Sequence, residues 1–328
     1  GGDSNTGIIA TSEAFTPALT GNYPVGMVAY WKFDGNLTDE LGTYDGVLGA
    51  YGSYVNGLID QGLHGPMACS GPNAARVDNF PNLDSFTIEA WINPACPPGS
   101  WQGAITIGKR VETGYYEGIG FMLFTSPSPS GSSDYNFYLE IRDGTNYQSV
   151  GSPSTYLCGS WYHVVAIRDR GNTLRLFVNG EEVANVPDNI IGDISNTEPL
   201  VFHGLSSGGC GWGMSEETID EVAVYDRPLS EAEIQRHYQN GLQGWGYEIV
   251  TEVWADDDFD ASTPGWGYDH FVKIQDGIDA VSGSIVHVAD GIYRENIVLK
   301  DGVELLGNGS DSTTIDGMNN GSVITANN

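Results

Sequence analysis

The stretch "WYHVVAIRDRGNTLRLFVNGEEVANV", residues 161–186, decides the fold class. Its apolar runs are rich in β-branched and aromatic residues, and Asn179-Gly180 falls between two of them. That dipeptide is the strongest short-range hairpin signal, because a tight type I′ turn needs two residues that tolerate positive φ. The stretch therefore predicts a strand, then a hairpin closed at Asn179-Gly180. Runs of the same kind lie on either side: "GMVAYWKF" (26–33), "SFTIEAWINP" (85–94), "YNFYLEIRD" (135–143) and "TIDEVAVYD" (218–226). With 45 glycines for tight turns and little helical periodicity, residues 27–245 read as an all-β antiparallel sandwich. Within it His163 shares strand parity with Trp161, Val165 and Ile167, so it reads as a core histidine and not as a catalytic base.

One helix interrupts the strands. In "RPLSEAEIQRHYQNG" (227–241), Ser230 is the expected N-cap and Glu233 completes a capping box. Leu229 and Ile234 take the staple positions, and Gly241 is the expected stop after about two turns.

From residue 246 the pattern changes. Short apolar runs, "IVHVA", "NIVL", "VELLG", "TTID" and "SVITA", follow one another, with Val286, Val303 and Val323 recurring at intervals of about 17 to 20 residues. Such a recurrence suggests a solenoid whose rungs stack their apolar faces. Ahead of it, Asp256, Asp257, Asp258 and Asp260 mark the entry segment of this second domain, and "IQDGIDAV" (274–281) its capping helix. The last run ends within a repeat, so further coils are expected beyond it. At the other end, residues 1–26 are rich in Ser, Thr, Gly and Pro; they read as an extended tail, a linker or a strand donated to an exposed sheet edge. The chain opens "GGDSNTG" with no initiator Met and no signal-like core, as a processed chain or a fragment would.

Charge narrows the partners. With 43 acidic and 13 basic residues the formal charge is −30, which repels nucleic acid over most of the surface but leaves cations and neutral polymers open. No apolar run approaches the roughly 20 residues of a membrane-spanning helix, so membrane insertion is not expected. Cys69, Cys96, Cys158 and Cys210 are widely spaced, with no CxxC pair, which disfavours zinc. In an exported protein they are candidates for two disulfides, with three connectivities left open, the alternative being four buried thiols.

Taken in order, "YWKFDGNLTDELG" (30–42), "SFTIEAWINP", "WYHVVAIRDRGNTLRLFVNGEEV" and "IDEVAVYDRPLSEAEIQRHYQNG" (219–241) resemble the laminin G-like, concanavalin A-like jelly rolls of prokaryotic surface proteins and secreted glycan-active enzymes. The segment after residue 246 resembles the start of a right-handed parallel β-helix of the pectin-lyase-like class, in the form found in archaeal surface proteins. These resemblances imply an extracellular or cell-surface module for recognition or adhesion, with glycans or neighbouring surface proteins as partners. The alternatives are a structural protomer that polymerises through its tail, and the accessory part of a polysaccharide lyase or glycoside hydrolase.

The jelly-roll resemblance also implies a structural calcium, with Asp34, Asn36, Asp45 and Asp220 as candidate ligands, led by Asp34 and Asp220; Asp39 and Glu40 lie nearby. Oxygen ligands of this kind suit the ion, although Asp and Asn beside Gly also serve as turn residues. For glycans, which stack their C–H faces on aromatic rings, the candidates are Trp212 in "HGLSSGGCGWGMSEE", Trp101 in "PPGSWQG", and Tyr115 and Tyr116 in "ETGYYEG". Each has the alternative of plugging the core. No paired-carboxylate strand signature, GxSxG or HExxH is present, and Glu216-Glu217 reads as a solvated loop pair, so the chain is expected to be non-catalytic. Asn36, Asn308 and Asn320 begin N-glycosylation sequons, and at Asn36 a glycan competes with calcium.

Overall fold

The computed structural model describes residues 23–65, 73–96, 104–112, 118–127, 134–204, 217–281 and 283–326. Two compact units emerge, one spanning Val25–Tyr247 and the other containing Glu248–Asn328.

The first unit is two eight-stranded antiparallel sheets. The front sheet runs, in spatial order, Glu181–Pro187, Thr173–Val178, Tyr162–Asp169, Phe86–Asn93, Thr218–Tyr225, Gln61–His64 and Ser53–Asn56, with Met27–Trp31 also paired to Thr218–Tyr225. The back sheet runs Tyr147–Gly151, Asp134–Asp143, Gly118–Pro127, Ala104–Glu112, Leu200–Phe202, Ala75–Val77 and Val47–Leu48, with Tyr156–Leu157 beside Asp134–Asp143. Alternation sends one parity of each strand into the space between the sheets. Ile88, Ala90 and Ile92, Val164 and Ala166, and Leu174 and Leu176 meet Phe137, Leu139 and Ile141 there, around fully buried Trp31 and Phe202. Each of the larger side chains, Ile, Leu, Val or Phe, contributes on the order of 1.5–3 kcal/mol by leaving water. The hairpin closes where expected, with Asn179 at φ 54° and Gly180 at φ 82°.

His163 is buried, but it points away from this core, on the outer face of the front sheet where the helix Glu231–Leu242 covers it. Ser230 and Glu233 form the capping box. Gly241 does not stop the helix: it lies inside the last turn, where an added Cβ would come 2.4 Å from the Trp91 indole. Its missing side chain lets the helix sit against Trp91, and the helix is 12 residues long rather than two turns.

In the second unit every pairing among the described residues is parallel. Glu252–Ala255 pairs with His270–Phe271 and with Ile285–Val288, which pairs in turn with Glu304–Gly307. Gly291–Tyr293 pairs with Thr313–Ile315, and Ile297–Leu299 with Ile324–Ala326. The short helix Ile274–Ala280 adds Ile274 and Ile278 to a core of Val253, Ala255, Val286, Val288, Tyr293 and Ile297. The three recurring valines are not in register: Val286 lies opposite Leu305, and Val323 adjoins a different pairing. The turns between strands differ in length, so repetition of one residue type does not mark the rungs. The aspartate run is a turn, not an extended strand. Asp256 Oδ1 accepts from Asp258 N at 3.0 Å, Asp260 Oδ1 accepts from Ser262 N at 2.8 Å, and Asp257 lies against Gly291.

Candidate functional site

Asp34 and Asp220 are brought together by the turn 57–61. Asp220 is fully buried; its Oδ2 accepts from Leu58 N at 2.8 Å and Ile59 N at 2.9 Å, and its Oδ1 from Glu221 N at 2.9 Å. A Cβ at residue 57 would lie 2.5 Å from Asp220 Oδ2, so glycine is required for this approach. Asp34 Oδ1 accepts from Gln61 N at 3.0 Å. Burial, opposed by the backbone donors and reinforced by the charge of Asp34, pushes the Asp220 carboxyl up to about 7. A bulge after Asp220 sets this geometry and leaves Glu221 at φ 51°, a conformation that costs a non-glycine residue on the order of 1–2 kcal/mol.

The other two candidate ligands are engaged elsewhere. Asn36 accepts from Thr38 N and donates to Asp34 O, and Asp45 accepts from Asp39 N. The buried carboxylate of the first loop is that of Asp39, which accepts from the backbone N–H groups of Tyr30, Leu41, Thr43 and Tyr44. Among the described residues no three His, Cys, Asp or Glu side chains are arranged to hold a metal ion.

Strand register gathers several connections at one end of the sandwich. Thr218 lies opposite both His64 and Asn93, Ala104 opposite Thr125, Pro127 opposite Tyr135, and Phe202 opposite Ala75. The connections 66–72, 97–103, 128–133 and 205–216 leave from these strand ends. Trp101 and Trp212 belong to them and lie outside the described residues, as do Cys69 and Cys210. Tyr115 and Tyr116, also outside, belong to the connection between Glu112 and Gly118 at the opposite end. Cys96 and Cys158 form a disulfide at the first end, beside the hydrogen bond from Gly159 N to Pro94 O. Glu217 is not solvated. It is fully buried between the sheets, where Thr125 Oγ1 donates to Oε2 at 2.9 Å and His203 Nδ1 lies 3.4 Å from Oε1. Strand alternation starting at Thr218 cannot reveal this, because the partners come from the other sheet.

A set of residues that sequence reading passed over lies on the outer face of the back sheet. One row across the strands reads Arg110, Gly120, Arg142, Tyr147; the next Gly108, Met122, Glu140, Ser149; a third contains Phe124, Tyr138 and Gly151. Glu140 Oε1 accepts from Arg110 Nη1 at 2.7 Å and from Arg142 Nε at 2.6 Å. The Arg142 guanidinium lies 4.9 Å from the Tyr147 ring centroid, and Phe124 stacks on Tyr138 at 5.0 Å. The signal was available: in "YNFYLEIRD" the parity opposite to Phe137, Leu139 and Ile141 is Asn136, Tyr138, Glu140 and Arg142.

Beneath the helix, Glu89 collects donors from three elements. His163 Nε2 is 2.8 Å from Oε1, His237 Nδ1 is 3.0 Å from both oxygens, and Tyr225 donates to Oε2 at 3.1 Å. All four groups are buried, so the cluster fastens the helix to the sheet and offers no access to a substrate. Of the three sequon asparagines, Asn36 has its amide tied into its own turn, whereas Asn308 and Asn320 are exposed in turns of the second unit.

The chain is similar to several solved structures. The binding domain of botulinum neurotoxin serotype D matches at 16% identity and TM-score 0.50, over 70% of this chain and 54% of that one. The binding domain of Paraclostridial mosquitocidal protein 1 matches at 14% and 0.49, over 70% and 54%. Domain 4 of an extracellular GH43 arabinanase from Geobacillus stearothermophilus, solved with arabinotriose, matches at 16% and 0.46, over 64% and 96%. The chain thus spans about half the length of the toxin binding domains it matches. No curated protein sequence matches it. Residues 70–235, half of the sequence, match the laminin G model of the concanavalin A-like lectin/glucanases superfamily, and the chain belongs to that superfamily.

Proposed function

We propose that the chain is an extracellular or cell-surface recognition module that binds carbohydrate. The observation that carries this reading is the convergence, at one end of the sandwich, of the strand ends that bear the Trp101 and Trp212 connections. Aromatic residues on neighbouring loops are what a sugar-stacking site requires, and membership of a superfamily that includes lectins supports the choice of ligand. The Cys96–Cys158 disulfide supports an oxidising, exported location. A glycan array followed by calorimetry tests the reading: Trp212→Ala or Trp101→Ala should weaken binding about tenfold or more, and a blank array would remove the proposal.

Calcium belongs to the same reading. Two carboxylates close enough for one to raise the pKa of the other form a hard-oxygen pair that suits the ion, so Asp34 and Asp220 would hold it, with Asn36 and Asp45 shaping the loop. The ion would neutralise the pair and brace the turn 57–61. We also read the parallel-paired second unit as the first coils of a β-helix.

A further inference from the structure

We propose a second sugar subsite on the outer face of the back sheet, centred on Tyr147 and built for a neutral pyranose. It rests on the carbohydrate reading above but uses none of the residues assigned there. Tyr147 begins the edge strand and is 66% exposed. One face of its ring lies against the Arg142 guanidinium, which Glu140 fixes at 2.6 Å, and Glu140 is fixed in turn by Arg110 at 2.7 Å. The three charged side chains are almost wholly buried, so they form a stiff base under the ring. The Arg142 contact backs one face of the ring, and most of the residue's surface stays open to solvent as a flat aromatic surface.

A ring backed by a buried guanidinium stacks the C–H face of a pyranose at a reduced entropy cost of fixing the side chain. Hydroxyl and amide groups stand next to it. Ser149 shares its face two residues along the strand, and the exposed Asn146 precedes it with its amide held by Asp143 Oδ2 at 3.2 Å. The net charge of −30 disfavours a polyanionic chain, and both arginines already bond Glu140, so the subsite favours an uncharged sugar. Register places it away from the Trp101 and Trp212 connections. Tyr147 pairs with Arg142, in line with Gly120 and Arg110, close to Glu112 and Gly118, where the other end of the sandwich begins.

The test takes neutral oligosaccharides that bind the full chain on an array and titrates them by calorimetry into wild type, Tyr147→Ala, Tyr147→Phe and Trp212→Ala. The expected result is a Tyr147→Ala protein with an unchanged melting temperature that loses about tenfold in affinity, or one of two binding events. Tyr147→Phe should keep both, and Trp212→Ala should leave the Tyr147-dependent event intact. Wild-type binding that Tyr147→Ala leaves unchanged overturns the subsite while the general reading stands. Tighter binding of a uronate oligomer than of its neutral counterpart, lost in Tyr147→Ala, overturns the assignment to neutral sugars. A wild type that binds no glycan overturns subsite and reading together.

Discussion

At the scale of single residues, two buried carboxylates respond to pH in opposite directions. For Glu89, burial alone would raise the pKa, but the charge of His237 and the hydrogen bonds from His163 and His237 outweigh it and hold the group at about 2. A folded pKa below the unfolded value near 4.5 stabilises the protein above that value and is lost as pH falls toward 2. Glu89→Gln should therefore cost about 3 kcal/mol at neutral pH and flatten acid unfolding between about pH 4.5 and 2. Urea melts at a series of pH values check this, and an unchanged acid limb would refute the assigned role. Asp220, raised to about 7, has the reverse sign: the folded state binds the proton more tightly, so without metal stability falls as pH rises from about 4 to 7. Asp220→Asn should abolish that slope and any rise in melting temperature on adding calcium; a calcium shift that survives the substitution would rule out Asp220 as a ligand. Asp220 was singled out by the jelly-roll resemblance of its strand, but its burial against the backbone of residues 58 and 59 was not legible. Glu89 was not legible either, because nothing in "SFTIEAWINP" says that a helix from residues 231–242 will cover its outward parity.

At the scale of elements, local chemistry was readable and contact chemistry was not. The Asn179-Gly180 hairpin and the Ser230–Glu233 capping box depend only on neighbours in sequence, and both form as expected. Gly241 was misread as a stop because its role depends on Trp91, and Glu217 as solvated because its partners Thr125 and His203 are distant in the chain. The cysteines show the same division. Spacing left three pairings open, and the fold supplies one bridge, Cys96–Cys158. The connections bearing Cys69 and Cys210 start and finish at the same two points: Gly65 N donates to Glu217 O at 3.1 Å, and Ala74 N to Phe202 O at 3.0 Å. Two chain segments hung from common anchors, each with a cysteine near its middle, are the expected site of a second bridge. A peptide map under non-reducing conditions should recover Cys69 linked to Cys210, and two free thiols by titration would exclude it.

At the scale of the whole molecule, the sandwich was legible as a class because alternation repeats in strand after strand, but strand order was not. Pairings such as Val47–Leu48 with Ala75–Val77, or Met27–Trp31 with Thr218–Tyr225, join distant segments that no local pattern connects. The change of pattern near residue 246 is physical, because among the described residues the apolar clusters on its two sides are built from different segments. One is built from residues between Ala29 and Val224, the other from residues between Val253 and Val303. Among the described residues, the main apolar cluster of the sandwich, its disulfide and its Asp34–Asp220 pair all lie within residues 25–247. Residues 25–247 expressed alone should therefore unfold in one cooperative transition, within a few degrees of the corresponding transition of the full chain. Because 30 excess negative charges repel one another across the full chain, its melting temperature should also rise between about 0.01 and 0.5 M salt, as screening shortens the reach of that repulsion. Scanning calorimetry reads both effects. A 25–247 fragment that melts without cooperativity would show that the sandwich needs the second unit, and a melting temperature indifferent to salt would show that the acidic surface carries its charge without strain.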